Sequence, residues 1–189
     1  MVNKGYLTAK TNKESDEYFT PEDAIFPLLE YLNEGVTIWC PFDNENSEYV
    51  KIFKKNNFKV IATHIDNGQN FFFYEPKQHY DIIISNPPFS CKDAILKRLT
   101  ELNKPYAILL PLPTLQGQSR FNDLKNTQAL IFNKRINFWK DEKHTTMAKG
   151  VAFASIYVCK NFLPKDLIFK EIWQIKKFFV TFKNFKFKF

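Results

Sequence analysis

The stretch from Asp81 to Phe89 joins an apolar run to a rigid polar turn, and its residue types could hold a planar amine. Three consecutive isoleucines predict a buried strand, and the two prolines that follow allow neither strand nor helix to continue. Asn86 then lies at the carboxyl end of the strand with an amide that both donates and accepts hydrogen bonds. Phe89 adds a flat apolar ring, so a base could stack there while its exocyclic NH2 donates to Asn86. The same tetrapeptide also describes an ordinary loop between a strand and a helix.

Asn86, Pro87, Pro88 and Phe89 resemble the (Asn/Asp/Ser)-Pro-Pro-(Tyr/Phe/Trp) motif of S-adenosylmethionine-dependent N6-adenine methyltransferases. The motif follows an apolar strand and precedes a helix, which is the context that such a motif requires. The resemblance implies that these four residues are catalytic and that S-adenosylmethionine is the cofactor. It spans residues 16–159 and is closest to the small DNA adenine methyltransferases of phages and prophages.

The composition predicts one folded domain in a reducing cytoplasm. Of the 189 residues, 44% are hydrophobic and 21 are phenylalanine, which favours a substantial core over disorder. The net charge of +7 favours a polyanionic partner such as nucleic acid, although an AT-rich genome would also enrich lysine. Three separated cysteines and three separated histidines favour free thiols and no metal site. Neither a signal peptide nor a membrane span is expected from the sequence. The family resemblance implies that the protein acts in the cytoplasm of a bacterium or of a phage-infected bacterium.

The segment after a loose N-terminal arm, residues 1–15, predicts an amphipathic helix because apolar residues recur at helical spacing. Thr20 is predicted to cap this helix, with Pro21 at its first position and Asp23 closing a capping box. In the family that the motif resembles, a Phe-Thr-Pro helix start borders the methionine end of the cofactor. The resemblance therefore implies that Phe19, Thr20 and Pro21 contact S-adenosylmethionine.

The next predicted strand begins at residue 36 and ends at Pro41. A polar turn follows the strand, and a helix follows the turn. The turn between such a strand and helix is where α/β proteins place nucleotide-like ligands. Pro41 and Phe42 resemble the family's first cofactor loop, which has an acidic residue before them and small residues after them. This loop lacks glycine, so side chains occur where the backbone would approach a ligand closely. Asp43 is predicted to replace the missing acid and to hold the ammonium of the methionine moiety.

A second strand over residues 58–66 closes the βαβ unit, but little chain follows it. Asp81 lies only 15 positions after Asp66. A crossover with its helix takes about 10 to 12 residues, so the family's second helix and third strand are expected to be missing. The resemblance then implies that Asp66 meets the cofactor's ribose and that Asn70 and Phe71 meet its adenine. The alternative is a plain turn followed by core phenylalanines.

The remaining chain predicts the other half of a sheet. Ser90 and Asp93 are predicted to form a capping box for a helix that ends near residue 102. Further strands are predicted over residues 106–110, 128–138 and 151–159. A short charged link joins the last two, which predicts an antiparallel pair at the edge of the sheet. The loop over residues 114–120, after the strand at 106–110, is predicted either to touch a substrate phosphate through Arg120 or to be a solvated loop.

Residues 160–189 form a basic, Phe/Lys-rich C-terminal segment. Eight lysines there face only Asp166 and Glu171, so this segment carries nearly all of the excess positive charge. Lysine and phenylalanine alternate from residue 178 to 189. This pattern is typical of nucleic-acid-binding surfaces, but also of a half-buried edge strand or an irregular tail.

Together these elements predict an α/β fold, a Rossmann-like methyltransferase domain over residues 16–159. Its sheet is expected to be doubly wound and mostly parallel, with an antiparallel edge pair and with one strand and helix missing. The strands before Asp43 and Asn86 are expected side by side, where strand order reverses and such sheets bind ligands. The resemblance implies methyl transfer to the exocyclic N6 of adenine in DNA, without a metal. The alternatives are adenine in RNA, a protein glutamine amide, or a noncatalytic module that binds nucleic acid or protein.

Overall fold

The computed structural model describes residues 18–141, 143–148 and 154–172, which form a seven-stranded sheet and its flanking helices. The strands are β1 (Thr37–Cys40), β2 (Lys59–Ala62), β3 (Ile82–Ser85), β4 (Tyr106–Pro111), β5 (Gln128–Phe132), β6 (Ser155–Lys160) and β7 (Leu167–Lys170). The α-helices are α1 (Glu22–Ile25), α2 (Glu48–Lys55), α3 (Lys92–Leu102) and α4 (Phe121–Leu124). The predicted arm at residues 1–15 and the Phe/Lys alternation at residues 178–189 lie outside the described residues.

The strand order of the sheet is β2-β1-β3-β4-β6-β5-β7. The first four strands in this order are parallel, and β6 runs antiparallel to both of its neighbours. β1 lies between β2 and β3, so strand order reverses at β1. This arrangement confirms the predicted mostly parallel α/β sheet and the adjacency of the strands before Asp43 and Asn86.

The last strands pair as predicted, and one further strand lies outside them. β5 and β6 are antiparallel, with Ala129 opposite Val158. β7 pairs parallel with β5 and forms the edge of the sheet. Because β7 lies beyond residue 159, the sheet extends past the point where the basic C-terminal segment was predicted to begin.

Between β2 and β3 the described chain contains no further strand or α-helix, as predicted. Residues 63–66, predicted as strand, instead lead into a 3-10 turn that ends at Gly68 with a φ of 73°. Aromatic side chains from this segment cover the central strand. The ring centroids of Phe71 and Tyr80 lie 5.5 and 5.0 Å from that of the fully buried Trp39 on β1. Aromatic packing thus takes the place of the missing elements.

Successive residues of the central strands face two hydrophobic cores on opposite sides of the sheet. On β3, Ile82 and Ile84 face the core that includes α1 and α2, whereas Ile83 faces the core that includes α3. All three isoleucines are buried, which is why the strand appears in the sequence as a continuous apolar run.

The predicted start of the first helix is displaced by one residue. Pro21 is the N-cap of α1, and no side chain caps the helix. The side chain of Thr20 instead hydrogen-bonds with buried Tyr49, so it is not available to the helix. After Ile25 the chain continues as a 3-10 helix, Phe26–Tyr31, whose second residue is a proline.

The predicted capping box of α3 is also absent. A 3-10 turn, Phe89–Cys91, precedes the helix, and Cys91 is its N-cap without a side-chain bond. Asp93 accepts hydrogen bonds from Arg120 and Ser119, both in the loop after β4. Arg120 therefore points to Asp93, whereas most of the loop around it is exposed, and a contact of Arg120 with a substrate phosphate stays a prediction.

Thr63 joins the loop after β1 to the core. Its buried Oγ1 accepts a hydrogen bond from Trp39 Nε1 at 2.8 Å. Its backbone carbonyl accepts from the Asp43 N–H at 3.2 Å, and its own N–H donates to the Cys40 carbonyl at 3.0 Å. The end of β2 thus holds the loop that carries Asp43.

Thr63→Val is expected to lower the free energy of unfolding by about 1–3 kcal/mol, because the buried indole N–H loses its acceptor while the side-chain shape is preserved. Urea denaturation measures the change. Thr63→Ser, which keeps the hydroxyl, is the control. A valine variant as stable as the wild type would contradict the role assigned to this hydrogen bond.

The described residues contain neither a membrane-spanning helix nor a cluster of metal-binding side chains. In residues 18–141, 143–148 and 154–172 no helix is long and apolar enough to cross a membrane. The same residues contain no group of three or more His, Cys, Asp or Glu side chains placed to hold a metal ion.

Candidate functional site

The loop after β1 brings Asp43 to the end of β3. Asp43 Oδ1 accepts a hydrogen bond of 2.5 Å from Ser47 Oγ, and Oδ2 accepts one from Ser85 Oγ. Ser85 is the last residue of β3 and directly precedes Asn86. Asp43 and Asn86 therefore lie next to one another at the carboxyl edge of the sheet, as the sequence predicts.

The carboxyl group of Asp43 is buried in a polar setting. The residue is 8% exposed, and this burial raises the pKa of the carboxyl to about 6. The hydrogen bonds from Ser47 and Ser85, and the nearby His64, favour the ionised form and oppose this rise. A buried acid with a raised pKa, next to a polar turn at a switch point, is typical of a functional site.

The amide of Asn86 is held through its nitrogen, whereas its oxygen lacks a partner. Nδ2 donates to the backbone carbonyl of Tyr18 at 3.5 Å. Oδ1 is buried and has no hydrogen-bond partner among the described residues. A buried acceptor left without a donor costs about 1–3 kcal/mol. Such a group in a folded protein needs an explanation, and a bound donor is one.

A segment distant in sequence holds Tyr18 over Asn86. Phe19 and Trp139 exchange both backbone hydrogen bonds, each of 2.9 Å. The ring of Tyr18 also packs on that of Phe138, with 5.9 Å between centroids. Residues 133–138 were predicted as part of a strand, but β5 ends at residue 132 and the chain then crosses towards the site.

The turn after Asn86 contains one buried and one exposed proline. Pro87 is buried and Pro88 is exposed. Phe89 is half-buried and lies edge-on to Phe138, with centroids 6.4 Å apart and an interplanar angle of 77°. The ring of Phe89 therefore packs partly against the core and is partly exposed.

The residues predicted to meet the ribose and adenine of the cofactor lie beyond β2 and differ in accessibility. Asp66 is exposed, with Oδ2 3.4 Å from His64 Nδ1. Asn70 is half-buried, and its Oδ1 accepts a hydrogen bond of 3.0 Å from a backbone N–H two residues further on. Phe71 is 2% exposed and lies 4.9 Å, centroid to centroid, from Phe42. Phe71 thus packs in the core, and its predicted contact with the adenine of a cofactor stays a prediction.

The other predicted cofactor residues mostly face inward. Thr20, Pro21 and Pro41 are buried, whereas Phe19 and Phe42 are half-buried. The buried residues support the loop after β1 and the segment over Asn86. A contact of Phe19 or Phe42 with a cofactor stays a prediction.

Further carboxylates lie at the starts of α1 and α2. Burial, followed by the charge of the nearby Glu48, raises the pKa of Glu22. His144 Nδ1 lies 3.8 Å from Glu48 Oε1, and its ring stacks on Trp139 at 5.5 Å. Glu48 Oε1 also accepts a hydrogen bond of 3.0 Å from Lys51 Nζ, so its charge is paired.

Sequence reasoning missed the residues that orient Asp43 and Asn86. Ser85 left one signal, as a single polar residue at the end of an apolar strand, and it is fully buried. Tyr18 and Trp139 act through backbone atoms, for which residue type carries no signal. The fold defines an α/β protein with a mostly parallel sheet, and this candidate site lies at the switch point of that sheet.

The similarity of this chain to known proteins is structural and distant. No protein-family model matches the sequence, and no curated protein matches it significantly. A candidate class I S-adenosylmethionine-dependent methyltransferase from Listeria monocytogenes is 15% identical, with 95% of this chain and 72% of that chain covered and a TM-score of 0.47. A candidate methyltransferase from Thermoplasma acidophilum is 12% identical, with 75% and 73% covered and a TM-score of 0.38. At these scores neither structure bears on the activity of this chain.

Proposed function

We propose that this protein transfers the methyl group of S-adenosylmethionine to the exocyclic N6 of adenine in DNA. The observation that carries the proposal is the buried, unpartnered Oδ1 of Asn86 at the end of a central strand. This atom is an acceptor without a donor, and an exocyclic NH2 group would supply that donor. The resemblance of residues 86–89 to the catalytic motif of N6-adenine methyltransferases supports the same assignment.

The carboxyl group of Asp43 fits the charge of the cofactor. S-Adenosylmethionine carries an ammonium and a sulfonium group, and both are favoured near carboxylates. Asp43 supplies such a carboxylate at the loop after β1, whereas Glu48 is already paired with Lys51. Asp66 is exposed just after β2 and fits the hydroxyls of a ribose.

The glycine-poor loop after β1 is compatible with a ligand because its side chains are engaged elsewhere. Residues 44–46 are all exposed. Asn44 Oδ1 accepts a hydrogen bond of 2.8 Å from the Asn46 N–H. Glu45 Oε2 accepts one of 2.5 Å from Lys54 Nζ, on α2. The loop therefore places these side chains against itself and against α2.

Asn86 would act on the attacking nitrogen. In the proposed reaction N6 attacks the methyl carbon, the bond from that carbon to sulfur breaks, and S-adenosylhomocysteine leaves. The methylated N6 then releases one proton to solvent water. Asn86 Oδ1 and the Pro87 carbonyl would accept hydrogen bonds from the NH2 group, which favours a more nucleophilic nitrogen. They would also stabilise the positive charge that develops on it, an effect that is strong in a site closed to water. The bond from Asn86 Nδ2 to Tyr18 fixes which end of the amide faces the amine.

Phe89 and the cofactor residues would align the two reactants. An adenine paired in a duplex cannot reach a methyl donor, so the base must leave the stack. The accessible part of the Phe89 ring would hold the extruded base by its face. The remaining acceleration would come from the alignment of nitrogen, methyl carbon and sulfur.

Transfer of a labelled methyl group from S-adenosylmethionine to duplex DNA tests the proposal. We expect saturable cofactor binding by calorimetry and recovery of the label as N6-methyladenine after digestion of the DNA. Label in RNA adenine or in a protein glutamine amide instead would change the acceptor and keep the reaction class. A protein that neither binds the cofactor nor transfers the label would be a noncatalytic module, and the proposal would fail.

A further inference from the structure

A cleft of about 480 Å³ lies in the loop after β4 and is separate from the residues assigned above. The loop passes through 3-10 turns into α4, and the cleft opens between them. Its lining combines an aromatic ring, a cation and three side-chain amides. These residues are Phe121, Lys125, Gln116, Gln118 and Asn122.

The ring of Phe121 faces solvent. Phe121 is 64% exposed, and Leu115, which also lines the cleft, is 40% exposed. Neither side chain belongs to the two hydrophobic cores. An exposed ring inside a concave, mixed surface is suited to stacking on a planar ligand.

The charge in the cleft comes from Lys125. In the described part of the chain no carboxylate pairs with Lys125, which is exposed. The other cation of the loop, Arg120, is engaged by Asp93 and by the Gln116 carbonyl at 3.0 Å. The cleft therefore offers one unneutralised positive charge beside an aromatic ring. This pairing suits a phosphate attached to a base.

The loop is held in shape before any ligand binds. Asp93, in the first turn of α3, accepts hydrogen bonds from Arg120 and from Ser119 Oγ, the latter of 3.1 Å. Gly117 allows this arrangement, since a Cβ there would lie 2.7 Å from the guanidinium of Arg120. A rigid loop loses less conformational entropy when it binds a ligand.

The cleft lies on the same edge of the sheet as Asn86. β4 is the parallel neighbour of β3, with Ile108 opposite Ser85, so the loops after both strands leave the sheet at one edge. Phe89 leads directly into α3, and α4 packs against α3. The predicted cofactor residues in the loops after β1 and β2 lie on the other side of Asn86, because β1 and β2 flank β3 on the side away from β4. The cleft is thus on the acceptor side of the site.

We infer that this cleft binds a nucleotide that adjoins the target adenine, with its base on Phe121 and its phosphate at Lys125. The inference rests on the proposed function, which requires the target base to leave its stack and so leaves a neighbouring nucleotide exposed. The amides of Gln116, Gln118 and Asn122 have no side-chain partners among the described residues, so they are available to the edges of that base.

Binding of a fluorescently labelled single-stranded DNA of about 12 nucleotides, measured by anisotropy, tests the inference without requiring turnover. Phe121→Ala is expected to weaken binding about fivefold to hundredfold, because one stacked base is lost. Lys125→Gln is expected to weaken binding and to lower the slope of log Kd against log salt by just under one unit. Both side chains are exposed, so neither change should alter thermal unfolding.

Matched controls come from exposed residues outside the cleft and outside the basic C-terminal segment. Phe73→Ala removes a ring that is 71% exposed between β2 and β3. Lys59→Gln removes an exposed lysine at the amino end of β2. Neither control is expected to change binding of the DNA by more than about twofold.

The outcomes separate this inference from the proposed function. Phe121→Ala and Lys125→Gln variants that bind DNA as the wild type does, or as the controls do, would overturn the cleft assignment even if the wild type methylates DNA. A wild type that does not bind the DNA would overturn it as well. If DNA binding depends on Phe121 but no methyl transfer occurs with any acceptor, the cleft assignment stands and the proposed function falls.

Discussion

Asn86→Ala is expected to lower methyl transfer by at least about a hundredfold to a thousandfold, the usual effect of removing one group that stabilises developing charge. The affinity for S-adenosylmethionine is expected to stay within a few-fold of the wild type. The side-chain oxygen of Asn86 serves the attacking amine and, in the protein without ligands, makes no hydrogen bond among the described residues. An interaction that acts mainly in the transition state changes kcat more than it changes cofactor binding.

Single-turnover transfer of a labelled methyl group, together with calorimetry of cofactor binding, separates the two effects. Asn33→Ala, at an exposed position before β1, is the matched control and should behave as the wild type. Asn86→Asp keeps an acceptor but loses the bond to the Tyr18 carbonyl, so we expect intermediate activity. Turnover by Asn86→Ala at the wild-type rate would remove this residue from the mechanism.

Asp43→Asn is expected to weaken S-adenosylmethionine binding tenfold or more and, at pH 7.5, to raise the free energy of unfolding. Burial raises the pKa of Asp43 to about 6, whereas an ordinary aspartate titrates near 3.8. At pH 7.5 the folded protein therefore holds a buried carboxylate that the unfolded chain would leave in water. Asparagine keeps the shape without that charge, and the serine hydroxyl that faces its NH2 group can turn to accept a hydrogen bond. Stability therefore rises by up to about 3 kcal/mol.

The pH dependence follows from the raised pKa of Asp43. Between about pH 4 and pH 6 the folded protein binds a proton that the unfolded chain has released. The contribution of this group to stability is therefore present below about pH 4 and is lost as the pH rises through 6. Glu22 and Asp23 also have raised pKa values and act in the same direction. The difference between the wild type and Asp43→Asn isolates Asp43 from these groups.

Urea denaturation at several pH values from 4 to 7.5 measures this difference, and calorimetry measures the affinity for the cofactor. The two proteins should be closest in stability at pH 4 and should diverge as the pH rises. Asp166→Asn, which changes an exposed aspartate in the loop before β7, is the control. Equal stability of the wild type and Asp43→Asn at pH 7.5 would refute the burial of a charge, and unchanged cofactor affinity would remove Asp43 from the cofactor site.

The central part of the fold could be predicted because its signals are local. β-branched runs followed by proline predicted β1 and β3, and the short distance from Asp66 to Asp81 predicted the loss of one helix and strand. β7 was missed because it has only four residues, of which every second one is exposed, and because Lys165 and Asp166 directly precede it. Such a strand exists because β5 pairs with it, and no local pattern encodes that pairing.

The position of a side chain along the sheet could be predicted from the sequence, whereas the residues that the side chain contacts could not. That Asn86 and Asp43 share one edge follows from where their strands end. Phe71 was predicted to meet a cofactor, but the structure places it against Trp39 and Phe42. An aromatic residue after a strand has the same sequence signal in a core as in a binding site, so burial alone distinguishes the two cases.

By itself, then, the sequence determined the turn at residues 86–89, because two prolines and a preceding apolar strand leave the backbone little choice. It also determined that this turn lies near Asp43, because parallel strands end at one edge. Only the tertiary structure decided that Ser85 donates to Asp43 and that Asp93 engages Arg120. It also decided that Asn86 Nδ2 bonds the Tyr18 carbonyl while Asn86 Oδ1 has no partner among the described residues. The physical reason is that these contacts join side chains and backbone atoms far apart in the chain, whose positions depend on how the whole chain packs.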